Sequence, residues 1–234
     1  MATFQVQVED MIGQVETTAG SGSSDTTALS SFLTDGAKEI INMMSPSMLL
    51  LCTSEQTFQP QAPGSESETL NTGKIFNVRR NDGTIDQPCR MIISTLKGRA
   101  IDSLEMEFAT ETDPVYYIEN NKINILPSAS SSVGKYSEVQ YPTVLHSDSS
   151  ISNFPDEAEY IVVLYAAMKG AERIVANYLD DEDIELAGAR AQQYNWAVGQ
   201  YNKALQGVMR WRLKKYYQEL EKFTQRQVKL MLKH

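Results

Sequence analysis

The stretch FPDEAEYIVVLYAAMKGAERI, residues 154–174, constrains the fold more than any other part of this chain. Pro155 followed by Asp156, Glu157 and Glu159 has the composition of a helix's first turn, where proline lacks no needed donor and acids meet the positive end of the dipole. Tyr160, Ile161, Val162, Val163, Leu164 and Tyr165 then follow without interruption. A helix on the surface of a monomer shows an apolar stripe and a polar face. A run of this kind is apolar on nearly every side, so it predicts cover from several directions. The expectation is that further copies of the chain supply part of it, with Tyr160, Ile161, Leu164, Tyr165 and Met168 packing between subunits.

Other helical signals flank this one. Residues 1–23 read as an N-terminal arm and a Gly/Ser/Thr-rich linker, TTAGSGSSDTT. A first bundle helix follows within residues 24–52. Ser24, Asp25 or Thr26 can cap it, Leu29, Phe32, Leu33, Ala37, Ile40, Ile41 and Met44 form one apolar face, and Pro46 ends it. After residue 179 the acidic knot Asp180-Asp181-Glu182-Asp183 reads as a turn and helix cap. From Ile184 apolar positions step in threes and fours through residue 208, shift by one, and resume to 223, a heptad rhythm. Unbroken, such a helix spans about 45–50 residues and ~70 Å. Gly188 and Gly199 share one face and suit close approach of another helix, while Gly207 marks the expected break or bend.

Between the helices, residues 53–150 are rich in Pro, Gly, Asn, Asp and Ser, with short β-type runs at 75–78, 89–92, 115–118, 123–126 and 136–141. VYYIENNKINIL reads as a hairpin, since Asn120 and Asn121 both tolerate the positive φ of a type I′ turn. The predicted class is α+β: a helical bundle with a very long C-terminal helix, residues 151–209 continuing into 210–234, plus an inserted small antiparallel β domain.

No reaction centre emerges. His146 lies in a Ser-rich loop and His234 at the C-terminus, in no metal-ligand spacing. Cys52 and Cys89 form no CxxC pair and read as free thiols. Phosphate-cradling glycine motifs and the nucleophile elbow are missing, and no pair of carboxylates suggests acid–base work. The reading is therefore of a non-enzyme without metal or cofactor. MATFQVQVED has neither a basic n-region nor an apolar h-region, and no apolar run reaches the ~20 residues of a membrane span, so neither signal peptide nor membrane contact is expected.

Charge points to partners instead. The chain carries −9 overall. Residues 210–234 hold eight Lys/Arg against Glu219 and Glu221, a net +6, which leaves −15 on the rest. That acidic body argues against a general nucleic-acid binder. In the tail, Trp211, Tyr216, Tyr217 and Phe223 interleave with Arg210, Arg212, Lys214 and Lys215. Aromatic and basic residues together suit stacking on nucleic acid. Leu213, Tyr216, Leu220, Phe223 and Leu230 also keep helical spacing, and Trp, Tyr and Arg are the residues of interface hot spots, which favours docking on protein.

In this order of elements the chain resembles the head-to-tail adaptors of tailed bacteriophages, in particular the tail tubular protein A or gatekeeper proteins of short-tailed phages. FLTDGAKEIINMM, PVYYIENNKINILP and FPDEAEYIVVLYAAMKGAERI carry the likeness, which covers residues 25–209. FLTDGAKEIINMM and ESETLNTGKIFNVRRNDGTIDQPCRMI are similar to virion structural proteins of marine phages. The resemblance implies a ring of twelve copies in the virion neck, assembled in the host cytoplasm. Helical bundles would stand side by side beneath the portal, β domains would point to the tail or nozzle, and DNA would pass through the channel without sequence-specific contact. From the +6 charge and the heptad rhythm, outside the stretch that carries the likeness, Arg210, Trp211, Arg212, Lys214, Lys215, Tyr216 and Phe223 are expected to meet the portal or pack between subunits. Tyr116, Tyr117, Ile118, Asn120 and Asn121 would form a tail-facing hairpin. The tail beyond residue 210 departs from the shorter adaptors. Two alternatives stay open: a neck or tail-completion protein of a long-tailed phage, and a non-viral helical interaction module.

Overall fold

The computed structural model describes residues 2–18, 21–58, 67–81, 84–127, 133–180 and 185–207. Among these residues the fold is mixed α/β, with six helices and two four-stranded sheets. The chain divides into two compact units, one built from its two ends (residues 1–45 and 142 onward) and one from residues 46–141.

In the helical unit, α1 (Phe4–Ile12) starts at Thr3, whose side chain accepts from the Val6 amide, and stops at Gly13, where φ is 81°. Phe4, Val8 and Ile12 recur every fourth residue and are buried. The stretch expected as an arm thus holds a helix, and that helix packs on α5. α2 (Thr26–Met43) uses Asp25 as its cap, with the carboxylate accepting from the Ala28 amide at 2.9 Å. Its buried face holds Leu29, Leu33, Gly36, Ala37, Ile40 and Ile41, as the 3.6-residue period demands, while Phe32 is half-buried. α5 (Asp156–Asp180) packs on both α1 and α2. Helix α6, helical through residues 185–207, buries Ala187, Ala197 and Tyr201. The Tyr201 ring meets Tyr165 edge-on, with centroids 5.6 Å apart.

Asp25 has a second task, pairing with Arg173 of α5 at 2.5 Å. Asp25→Ala removes cap and ion pair together and is expected to cost about 1–2 kcal/mol, read as a fall in midpoint in chemical unfolding. Asp25→Asn keeps the cap oxygen and should recover most of that loss.

In the β unit, two short helical segments, α3 (Pro46–Leu49) and α4 (Lys97–Ile101), accompany eight strands. One sheet runs β1 (Thr53–Phe58), β8 (Val133–Val139), β3 (Ile75–Asn81), β4 (Asp86–Pro88). The other runs β2 (Ser67–Thr69), β7 (Lys122–Leu126), β6 (Val115–Glu119), β5 (Arg90–Met91). All pairings are antiparallel except β5 with β6. Asn77, at φ 50°, sits where the β3–β8 register slips, so an asparagine takes the left-handed residue of the bulge. The β6–β7 turn has Asn120 and Asn121 at φ 52° and 59°, as the sequence predicts. The β unit runs from residue 46 to 141 rather than 53 to 150, because residues 142–148 belong to the helical unit. There the Phe4 and Gln5 amides donate to Asp148 and His146 carbonyls, and the Val144 amide donates to Thr34 Oγ1.

Candidate functional site

Helix α5 holds the first candidate site. Ile161, Val162, Val163 and Leu164 are all buried within the single chain, Leu164 to 1 % exposure. The side chains that cover the helix come from three of its own neighbours. A Cβ on Gly170 would lie 2.8 Å from Ile12 and 2.9 Å from Val15, so the chain around α1 is pressed against that turn. A Cβ on Gly36 of α2 would lie 2.9 Å from the Tyr165 ring, and Tyr201 of α6 closes on the other edge. The expected role of Ile161 and Leu164 between subunits is therefore overturned, since neither has surface left for a second copy. Met168 and Tyr165 are half-buried, and Tyr160 stands 54 % exposed.

The hairpin needs a second correction. β6 and β7 occupy the centre of their sheet, and both faces are covered. Val115, Tyr117 and Leu126 enter one core with Ile92, Ala100 and Ala109. Tyr116, Ile118, Ile123 and Ile125 belong to the other, with Phe58, Leu70, Val78 and Tyr136. Tyr117 is buried beneath Lys97, whose Nζ lies 5.5 Å from its ring centroid. Strands that pack on both sides leave no tail-facing wall, so Tyr117 is removed from that role and Tyr116 and Ile118 keep little surface for it. Of the five residues expected on the tail-facing hairpin, Asn120 and Asn121 are the exposed ones, and the Asn121 side-chain amide is held by the Leu70 carbonyl at 2.9 Å. Arg210, Trp211, Arg212, Lys214, Lys215, Tyr216 and Phe223 lie outside the described residues, as do residues 181–184 of the acidic knot.

His146 is the one described histidine, and it does have a polar partner. Its Nδ1 lies 3.2 Å from Ser30 Oγ. A serine beside an imidazole raises the question of a nucleophile and its base. The proton of that hydroxyl is already given to the Thr26 carbonyl at 2.8 Å, and the oxygen accepts the His146 amide at 3.0 Å. With the hydroxyl donating elsewhere, Nδ1 acts as donor, so the pair fastens a loop to α2.

Among the described residues two charged groups are fully buried, both in the β unit. Glu138 accepts the Thr72 and Gly73 amides at 2.7 and 3.1 Å, holding the turn that leads into β3. Arg80 donates Nε–H to the Pro127 carbonyl at 3.0 Å, which links the two sheets. In the β3–β8 ladder Arg80 pairs with Gly134 and Ile75 with Glu138, so the two charges sit at opposite ends and form no acid–base couple. Among the described residues no group of three or more His, Cys, Asp or Glu side chains is placed to hold a metal, and no helix is long and apolar enough to cross a membrane.

Neither Cys52 nor Cys89 is in a disulfide. Burial pushes the Cys52 thiol up to about 11. Burial also takes Cys89 to about 12, against a smaller downward pull from the Arg80 guanidinium. Thiolate is the nucleophile, so neither group is reactive near neutrality. Ellman's reagent at mildly alkaline pH is expected to leave both thiols of the native chain unmodified over minutes and to titrate both after denaturation.

The surface the sequence did not reveal is in the β unit. Met91, Ile93, Ile101, Leu104 and Met106 are all exposed, Leu104 to 92 % and Met106 to 97 %. The sequence predicts a strand over 89–92, whereas 93–108 keeps neither the alternation of a strand nor a helical period. The signal available was large apolar residues inside the acidic run IDSLEMEFATETD. On the helical unit, Tyr160, Leu179, Leu186 and Trp196 are exposed, and an open groove of about 480 Å³ lies among Met11, Leu186, Gln193 and Trp196. No protein-family model and no curated protein matches the chain.

Proposed function

We propose that the chain is a structural virion protein, a head-to-tail adaptor whose copies form a ring that joins portal to tail around the DNA channel. One observation carries the reading: a compact β unit is inserted between the two halves of a compact helical unit. That is the order of elements in the adaptors the sequence resembles. The described residues offer no convergent titratable site, so the exposed apolar side chains are the features left to account for.

Within this reading Tyr160, Leu186 and Trp196 are the side chains that meet neighbouring copies, in place of Ile161 and Leu164. Gly188 and Gly199 support it, because nothing lies within 4 Å of where their Cβ atoms would be, which leaves room for a neighbouring helix. The net negative charge of the body gives phosphates no neutralising grip, as a channel that must let DNA slide requires. Residues 210–234, with Trp211, Tyr216 and Phe223 as apolar anchors, reach the portal or pack between subunits.

The test is to mix the full chain with its cognate portal protein and follow mass by light scattering. A ring-sized species should form with the portal, and Tyr160→Ala with Trp196→Ala should weaken it without unfolding the chain. A native chain that stays monomeric beside a portal ring removes the adaptor reading.

A further inference from the structure

The exposed apolar side chains of the β unit sit on a segment that its own hydrogen bonds hold in place. Ala100 and Ala109 are buried and joined, the Ala109 amide donating to the Ala100 carbonyl at 2.9 Å. Between them the Glu105 and Phe108 amides donate to the Asp102 and Glu105 carbonyls at 3.1 and 3.2 Å, and the Leu104 amide donates to Asp102 Oδ1 at 3.0 Å. Both ends are thus clamped to the core and the turn between is closed, with Leu104 and Met106 directed outward. Large apolar side chains kept in solvent by a closed turn lose hydrophobic free energy unless something covers them.

Charge indicates what covers them. Residues 101–113 contain Asp102, Glu105, Glu107, Glu111 and Asp113 and no Lys or Arg, a net −5. Arg99, Arg80 and Arg90 approach Glu107, Glu111 and Asp113 at 4.0, 3.9 and 3.2 Å. Among the described residues Asp102 and Glu105 have no cation within ion-pair distance. The matching segment, apolar, aromatic and +6, is in the same sequence at 210–234.

We infer that the acidic knuckle around Leu104 and Met106 is the docking surface for residues 210–234 of a second copy of this chain. The choice of a second copy rests on the ring reading above. A knob on one copy meeting a tail on the next is a heterologous contact, the kind that propagates around a ring rather than closing a dimer. Tail aromatics cover Leu104 and Met106, while Lys214 and Lys215 meet Asp102 and Glu105. The contact weakens with salt because its charges are at the surface.

The experiment uses full-length chain, half of it ¹⁵N-labelled, treated at high protein concentration with a carbodiimide that joins lysine to carboxylate. Cross-links from Lys214, Lys215 or Lys222 to Asp102, Glu105 or Glu107 should appear between labelled and unlabelled copies. Leu104→Ser with Met106→Ser should reduce them by roughly tenfold, the size expected from uncovering two apolar side chains. Glu105→Lys with Glu107→Lys should abolish them, and sedimentation should show self-association lost. Adding Lys214→Glu with Lys215→Glu to that variant should restore self-association. Absence of these cross-links, or cross-links confined to single copies, overturns the proposal. The two readings fail separately. A ring formed normally on the portal by the Leu104→Ser, Met106→Ser chain removes this contact and leaves the adaptor. Inter-copy cross-links without any portal-dependent ring do the reverse.

Discussion

Leu164→Ala is expected to lower the stability of the isolated, dilute chain by about 3 kcal/mol, within the range of about 2–5 kcal/mol for emptying a buried leucine site. Tyr160→Ala, one turn away on the same helix, should change it by less than about 0.5 kcal/mol. The contrast follows from cover. Leu164 is sealed by its own chain, whereas Tyr160 is half in water. The lost leucine leaves a cavity that α1 and α2 cannot both collapse into, because glycines at 36 and 170 already bring them to contact distance. Urea unfolding followed by circular dichroism at two protein concentrations reads both effects. If neighbouring copies supplied the cover, the Leu164→Ala loss would vanish in the dilute monomer and the midpoint would rise with concentration. The adaptor reading expects the opposite assignment: Leu164 acts on the stability of one chain and Tyr160 on assembly.

How that cover was missed shows what a sequence displays and what it hides. Six consecutive apolar residues on α5 correctly announced a helix wrapped on several sides. The wrapping partner, α1, carries Phe4, Val8 and Ile12 on one face, but a nine-residue helix before a Gly/Ser-rich stretch has the look of an arm. Its docking depends on a tight reversal that only the fold reveals. The Asp25 amide donates to the Val15 carbonyl, and Ser24 Oγ donates to Glu9. α2 was largely legible, with its cap Asp25 among three candidates and all of the expected face but Phe32 buried, because local propensity and tertiary burial agree there. So was the Asn120–Asn121 turn, whose positive φ values need those residues. β1, TSEQTF, was illegible: it is an edge strand whose side chains are mostly half-exposed, and pairing with β8 is a backbone matter. The exposed knuckle at 101–108 escaped for the converse reason. Its apolar residues are turned away from the core, so they obey no burial period, and what marks them is their company of acids.

The β unit supplies the second large effect. Gly134 on β8 lies directly across from Phe58 on β1, and a Cβ there would fall 2.5 and 2.6 Å from the Phe58 ring and 3.0 Å from Ile125. The ring rests on the glycine backbone and meets Tyr136 edge-on at 5.9 Å. Ordinarily alanine in place of a strand glycine gains about 0.5–1 kcal/mol from the lower entropy of the unfolded chain. Here the added methyl must displace an aromatic ring, and overpacking of that kind costs about 1–3 kcal/mol. Gly134→Ala should therefore destabilise the β unit by about 2 kcal/mol. The decisive measurement is the double-mutant cycle. In a Phe58→Ala background the ring is gone, so Gly134→Ala should change sign and stabilise by a few tenths of a kcal/mol or more. Equal losses in both backgrounds would mean that Ile125, not Phe58, sets the limit at this position. Because the strand pair lies in one unit of the chain, hydrogen exchange should show the loss in β1, β3 and β8 while the protection of α2 and α5 stays as it was.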